Sequence, residues 1–443
     1  MAKAPLFLEI PAKILTELGF DSNEVFNMLN TFSNSSTLEE VFSSSVYTTV
    51  PLNESDKILD LIEKCQSSKV INSFGKTWKD IFYSSVISAQ ENDSASALNL
   101  CDAIIRLEPS LPFPHFITQY ELLPKSERVD SLLGLYSRVT KLSKIHPISH
   151  KFFGDILTEK KRISAAVQAY NNAWSQLCDQ PLDQNEDKQK RTHIDYLVIG
   201  VGKGGMSSLY HYLSQHPDII NLFTKEIGFF SEKFHYGLDW YLAQFPPLPF
   251  RPDRFVTGET YPWHLGQFDA VERVFNALPN IKLIAILRNP VSRAISHFYM
   301  ESKLGTERRT LDQAIKDELT ILEGVEDPTE VAQTYWETER GYIWFSLYLP
   351  FLKQWMSVFP KDRIFTLNSK DLCCSPAKTL NRVFKFLDLA EFESISYPKI
   401  NQGSYSHSQV GVQLRKTLYS FFYIHNQKLG EYLDVNLNWN DEI

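Results

Sequence analysis

Residues Tyr196 to Leu213 read Tyr-Leu-Val-Ile-Gly-Val-Gly-Lys-Gly-Gly-Met-Ser-Ser-Leu-Tyr-His-Tyr-Leu. Four apolar or β-favouring residues, Tyr196 to Ile199, run into a loop of four glycines and Lys203. Leu209, Tyr212 and Leu213 then recur at helical spacing. A strand, a glycine loop and a helix N-terminus build a phosphate site largely from backbone. Glycine lets the chain approach closely, and the first helical turn presents free N–H groups to an anion. The loop is not a Walker A motif, because Leu197 stands where its first glycine would fall and Gly204 follows the lysine. The Gly200-x-Gly202 start of a dinucleotide fingerprint is a weak signal, common by chance.

Working outward from this loop, strands alternate with helices after Thr192. Tyr196–Ile199, Lys282–Leu287 and Arg363–Leu367 read as strands, and Ser207–Gln215 and Val291–Met300 as helices. Short apolar strands with intervening helices imply a parallel sheet covered on both faces, with ligands at the carboxyl ends of its strands. A second strand exit carries Arg288, and Ser296 follows inside the next helix. An arginine and a hydroxyl suit a phosphate monoester. Two phosphate sites at one sheet edge imply a ligand phosphorylated at two places.

At 443 residues the chain is too long for one ordinary core, and two domains are expected. The boundary falls at the charged stretch Leu182 to Arg191, separating residues 1–190 from 191–443. The first part reads as helical, with apolar stripes at Ile14, Leu15 and Leu18 and at Val25, Phe26 and Leu29. Between residues 78 and 181 a faint period of about 34–38 residues resembles tetratricopeptide repeats. It is clearest where Phe153, Gly154, Leu157, Ala166, Tyr170 and Ala173 precede Pro181. Such a region suggests protein docking or homodimerisation rather than chemistry; a helical domain with a chance period is the alternative.

A net charge of −8 and the lack of a Lys/Arg block argue against nucleic acid as a partner. Five scattered cysteines without ligand spacing imply reduced thiols and no metal site. No run approaches a membrane span, so a cytoplasmic protein with no membrane partner is expected.

Several motifs in order, over roughly residues 192–440, resemble the PAPS-dependent sulfotransferases of the heparan-type and bacterial branch. They are Lys203-Gly-Gly-Met-Ser-Ser-Leu, Lys225-Glu226-Ile-Gly-Phe-Phe, Tyr236-Gly-Leu-Asp-Trp-Tyr, Leu287-Arg288-Asn-Pro-Val-Ser-Arg with Ser296, Arg340-Gly-Tyr, and the terminal Asn438-Trp439. The resemblance implies a P-loop-like parallel α/β sulfotransferase domain behind an all-α helical-repeat domain. It implies 3′-phosphoadenosine 5′-phosphosulfate (PAPS) as co-substrate, PAP as product, and no metal. Lys203, Gly204, Gly205, Met206, Ser207 and Ser208 would hold the 5′-phosphosulfate, and Arg288 and Ser296 the 3′-phosphate. Lys203 would stabilise the leaving oxygen, with Glu226 as general base. His211, His216, His264 and His297 are alternative bases. Phe229, Trp240, Tyr261, His264, Arg340 and Tyr342 are candidate acceptor contacts.

The pattern departs from the family at Met206, where a threonine is usual. It also departs at Gly228, often a histidine, and at Thr260, often a lysine. The last two lie on the acceptor side and leave open a small secondary metabolite or another glycan, through a hydroxyl or an amine. A P-loop-type nucleotide kinase and a non-catalytic helical-repeat scaffold are the competing readings.

Overall fold

The computed structural model describes residues 102, 105, 125–142, 145–177, 191–248, 255–325, 341–393, 396–398, 400 and 410–439. The described residues fall into two units, one drawn from 192–238 and 255–439, the other from those up to 191 with 239–248.

The first unit is built on four parallel strands, β1 (Tyr196–Gly200), β2 (Gly258–Thr260), β3 (Lys282–Leu287) and β4 (Ile364–Asn368), in the order β2-β1-β3-β4. The alternation of strand and helix expected from the sequence is therefore present, with every pairing parallel. Such a sheet buries both faces, and β1 and β2 are buried along their whole length. One strand was not legible: β2 is Gly-Glu-Thr and carries no apolar run, yet Glu259 is fully buried.

Helix α4 (Met206–Leu213) leaves the loop after β1, and α7 (Pro290–Lys303) leaves β3. Asn289 caps α7 by accepting the Ser292 N–H at 3.1 Å, and Pro290 occupies the first turn, where its missing donor costs nothing. Tyr196, Val198, Leu209, Leu213, Ile284 and Ile286 form one buried cluster with Leu380, Val383 and Phe384 of α11 (Pro376–Phe386). Met206 belongs to that cluster, so its side chain is core and only its backbone faces the loop. The core thereby fixes the carboxyl ends of β1 and β3 side by side.

In the second unit three helices are described: α1 (Lys125–Val139), α2 (Ile148–Glu159) and α3 (Ile163–Ser175). The last two form a tight hairpin. A Cβ at Gly154 would lie 2.3 Å from the Tyr170 ring, so glycine is required there despite its cost of about 1 kcal/mol in a helix. Tyr170 Oη donates to Asp155 Oδ1 at 2.9 Å. Any further repeats lie outside the described residues. Trp240, from α5 (Leu238–Leu242), joins this unit: its indole N–H donates to Thr158 Oγ1 at 2.7 Å and its ring packs edge-on to Tyr170.

Candidate active site

The loop after β1 is shaped by glycine. Gly200 and Gly205 have φ of 140° and 104°. A Cβ at Gly204 would stand 2.7 Å from the Val201 carbonyl oxygen and 2.9 Å from that of Ile286. Val201 N–H donates to Ile286 O and Gly202 N–H to Pro262 O, both at 3.1 Å, so the loop is anchored to the exits of β3 and β2. Lys203 holds a left-handed φ of 68°, a strained conformation for a side-chain-bearing residue.

On the β3 flank, Arg288 Nη1 donates to the Lys203 carbonyl at 2.9 Å, joining the two strand exits directly. Arg293, fully buried, donates from Nε to Gly202 O at 3.1 Å. Its other nitrogens donate to Tyr342 O at 3.2 Å, Ser346 Oγ at 3.1 Å and His297 Nδ1 at 2.7 Å. Burial, reinforced by the Arg288 charge and offset in part by Tyr348 and Glu318, lowers its pKa to about 10. Ser296 is buried on the same helix. Burial, with Arg288 and Arg293 beside it, also lowers Lys203 to about 8.

On the β2 flank, Lys225 donates to Ser207 Oγ at 2.9 Å and lies 3.7 Å from Glu226 Oε1. Glu226 has φ 66° and a side chain 34% exposed, the most open of the described candidates on this flank. Gly228, at φ 70°, opens the π-helical turn Phe229–Lys233 and donates its N–H to the buried Glu259 carboxylate at 2.6 Å. Tyr261 Oη donates to Glu232, and Ser231 Oγ hydrogen-bonds His264 Nδ1. Burial first, then the Glu232 hydrogen bond, push the Tyr261 phenol far above its ordinary range. Burial drives His264 down to about 3, so the ring is neutral. Its Nε2 and the Thr260 hydroxyl are buried with no hydrogen-bond partner.

The structure thus brings Lys203, Gly204, Gly205, Met206, Ser207, Ser208 and Arg288 to one sheet edge, with Ser296 on the helix behind and Glu226 on the opposite flank. Ser208 Oγ accepts the Ile400 N–H at 3.1 Å. Phe229, Tyr261, His264 and Tyr342 are buried and shape the walls rather than present a surface. Tyr342 Oη is committed to Glu307 Oε2 at 3.0 Å. Trp240 belongs to the other unit, and Arg340 lies outside the described residues. Of the alternative bases, His216 uses both ring nitrogens on backbone, with Ala390 O and the Asp218 N–H. His297 is buried and lowered to about 4 by that burial.

Sequence reasoning passed over the buried column of Arg293, His297 and Glu301 that braces the loop. Their spacing, at i, i+4 and i+8 on one helix face, was the available signal. Among the described residues no group of three or more His, Cys, Asp or Glu could hold a metal ion.

Fold and site together define a parallel α/β domain with a cationic, glycine-rich edge where two strands end. Residues 193–397 match the Sulfotransferase domain family, and the protein is a sulfotransferase enzyme. It is 27% identical over 357 residues to heparan sulfate glucosamine 3-O-sulfotransferase 5 of Mus musculus, covering 73% of this chain and 98% of that one. It is 22% identical over 315 residues to the membrane-associated sulfotransferase kil1 of Dictyostelium discoideum, covering 56% of this chain and 66% of that one. A solved sulfotransferase from Alicyclobacillus acidocaldarius superposes with a TM-score of 0.44 at 23% identity, over 56% of this chain and 99% of that chain.

The cytoplasmic placement expected from composition does not hold against these relatives, one of which is membrane-associated. Cysteine count and net charge report on surface and redox chemistry but carry no address. Among the described residues no helix is long and apolar enough to cross a membrane.

Proposed function

We propose that this sulfotransferase takes its sulfuryl group from PAPS and delivers it to a hydroxyl or amine of a glycan or a small metabolite. The observation that carries this reading is the 2.9 Å hydrogen bond from Arg288 to the Lys203 carbonyl. It makes the two strand exits one cationic site, as a ligand with phosphates at two places requires. The residues present fit such a donor: the glycine loop excludes a Cβ at Gly204, and the first turn of α4 offers N–H groups without intrahelical partners.

When bound, PAPS supplies an activated sulfuryl group on a phosphate leaving group. Lys203 would face the bridging oxygen as negative charge grows there, acting as a fixed electrostatic stabiliser in a shielded site. Ser207 and Ser208 would add hydroxyl contacts, and Arg288 and Ser296 would hold the 3′-phosphate and so govern affinity. Glu226 would take the acceptor proton. Its half-open side chain, held on the loop side by Lys225, leaves one face for an acceptor. Gly228 and Thr260 remove a histidine and a lysine common in heparan-type enzymes, and Glu226, Glu232 and Glu259 lie near Tyr261. This flank therefore favours a neutral or weakly charged acceptor over a highly sulfated polyanion.

Calorimetry with adenosine 3′,5′-bisphosphate is expected to show binding in the micromolar range or tighter, and no heat of binding would end the reading. Glu226→Gln is expected to retain that binding while turnover falls by roughly 10²–10⁴-fold. A fully active variant would remove Glu226 from the role of base.

A further inference from the structure

Trp439, of the terminal Asn438-Trp439 pair, is 2% exposed. A buried indole needs a partner for its N–H, and Nε1 donates to Asn368 Oδ1 at 3.4 Å. Asn368 is the last residue of β4 and pairs in register with Leu287, the last of β3. Its Nδ2 donates back to Leu437 O at 3.2 Å. Asn289, two residues beyond β3, repeats the arrangement, with Nδ2 donating to Trp439 O at 3.1 Å. Each asparagine also caps the helix that follows it, Oδ1 accepting the Ser292 N–H at 3.1 Å or the Lys370 N–H at 3.0 Å. The cap fixes Oδ1 as the acceptor and leaves the other end of each amide to donate. The carbonyls of Leu437 and Trp439 are thus pinned across the carboxyl ends of β3 and β4, by one asparagine at each. Asn438 between them takes a left-handed φ of 49°, which asparagine tolerates better than most residues, and its N–H donates to Asn436 Oδ1 at 3.1 Å.

This strap converges on Arg288. The Arg288 carbonyl accepts the Tyr348 hydroxyl at 2.7 Å, and the Tyr348 ring packs edge-on to Trp439 with centroids 5.9 Å apart. The next residue, Asn289, is tied to Trp439 O. Trp439 therefore braces the Arg288–Asn289 backbone twice, with its ring through Tyr348 and with its carbonyl through Asn289. At the far end of the same arginine, the guanidinium donates to Lys203 O. The cap made by Asn289 also sets the start of α7, the helix that carries Ser296.

We propose that Trp439 is a positioning residue for the 3′-phosphate arm of the donor site, fixing Arg288 through Tyr348 and Asn289, and Ser296 through the start of α7. The proposal rests on the donor-site reading for the phosphate that is held, and on the ligand-free contacts for the bracing. An arginine gripping an anion gives up rotamer freedom, and a backbone already fixed leaves less to lose on binding. Trp439 accordingly governs affinity for a ligand with a 3′-phosphate and leaves the in-line step at Lys203 untouched.

Two measurements on full-length protein test this. Hydrogen exchange without ligand, read by peptide mass spectrometry over residues 288–296, is expected to be roughly tenfold faster in Trp439→Ala. Calorimetry then compares adenosine 3′,5′-bisphosphate with adenosine 5′-monophosphate, which lacks the 3′-phosphate. Trp439→Ala is expected to weaken the bisphosphate roughly tenfold and the monophosphate by no more than about twofold. A purely structural role would weaken both alike. Asn289→Ser keeps a neutral cap for α7 but removes the donor to Trp439, and should move both readouts the same way by a smaller factor. It carries the test if Trp439→Ala does not fold. Unchanged exchange over 288–296 in a folded variant overturns the proposal, as does equal loss for the two nucleotides. A native protein that binds both nucleotides alike removes the donor-site reading instead, and exchange still decides the bracing.

Discussion

On the β3 side of the central loop, Arg288 and Arg293 reach the carbonyls of Lys203 and Gly202. On the β2 side, Lys225 reaches the Ser207 hydroxyl, and Trp263 lies so close that a Cβ at Gly202 would stand 3.0 Å from its ring. The first flank is one regular helix whose side chains form a continuous chain of donors and acceptors. The second is assembled from turns with left-handed residues at Glu226 and Gly228, a π-helical turn, and buried groups left without partners at Thr260 and His264. A flank whose ligand does not vary can be locked by hydrogen bonds. On the proposed reading, the flank that would receive an acceptor keeps strain and unsatisfied polarity where the acceptor would be chosen.

The largest effect that would sharpen this contrast comes from Arg293→Met. The methionine fills much of the volume, but Gly202 O, Tyr342 O, Ser346 Oγ and His297 Nδ1 lose a donor together. Breaking a buried hub of this kind costs about 3–5 kcal/mol. Urea unfolding is the measurement, and a loss under 1 kcal/mol would mean that the locked flank is not locked. Adenosine 3′,5′-bisphosphate affinity should fall in parallel, because the loop carbonyl is no longer held.

An intermediate effect is expected on the opposite flank. Gly228→Ala puts a Cβ 2.7 Å from the Tyr261 ring at a backbone φ of 70°, so strain and overpacking add. The cost is about 2–4 kcal/mol, or else Tyr261 swings out and breaks its bond to Glu232. Acceptor KM should then rise while PAP affinity stays within about twofold, which calorimetry beside steady-state kinetics would show; equal loss on both would erase the distinction between the flanks. The same crowding leaves no room here for the histidine that heparan-type enzymes often carry. The Tyr261 ring already occupies the space a side chain would take.

This difference also decides how much could be read from sequence. Strands β1, β3 and β4 announce themselves through apolar runs, and the positions of the glycine loop and of Arg288 follow from where those runs end. The β2 flank has no such grammar. Gly258-Glu259-Thr260 looks like a loop because its burial is supplied by neighbours rather than by its own composition. The Ser231–His264 and Tyr261–Glu232 pairs are 33 and 29 residues apart in sequence, and nothing local signals them. Trp240 invites an acceptor role as an exposed-looking aromatic, but its indole N–H is matched to Thr158, 82 residues earlier. Met206, the residue that fits the family pattern worst, is explained by packing: its side chain points into the core beneath the loop, where a hydroxyl would gain nothing.

The last effect, read as a slope rather than a loss at pH 7, isolates one buried group. His264 is neutral in the folded state with a pKa lowered to about 3, against an unfolded value near 6.5. A histidine with a depressed folded pKa contributes its full share of stability above the unfolded pKa. That share is lost as pH falls from 6.5 toward 3, because only the unfolded chain takes up the proton. One such group adds about 1.4 kcal/mol of lost stability per pH unit across that window. His297 adds a similar slope down to about 4 from the other flank. Replacing His264 with phenylalanine keeps a ring among Phe230 and Tyr261, and should remove one proton from the slope of unfolding free energy against pH between about 6 and 4. The expected difference is therefore in slope, whatever the variant does to stability at pH 7. Identical slopes in the two proteins would mean that His264 takes up a proton in the folded site. The β2 flank would then hold a charged imidazole beside Ser231 and Tyr261, and its preference for a weakly charged acceptor would have to be abandoned.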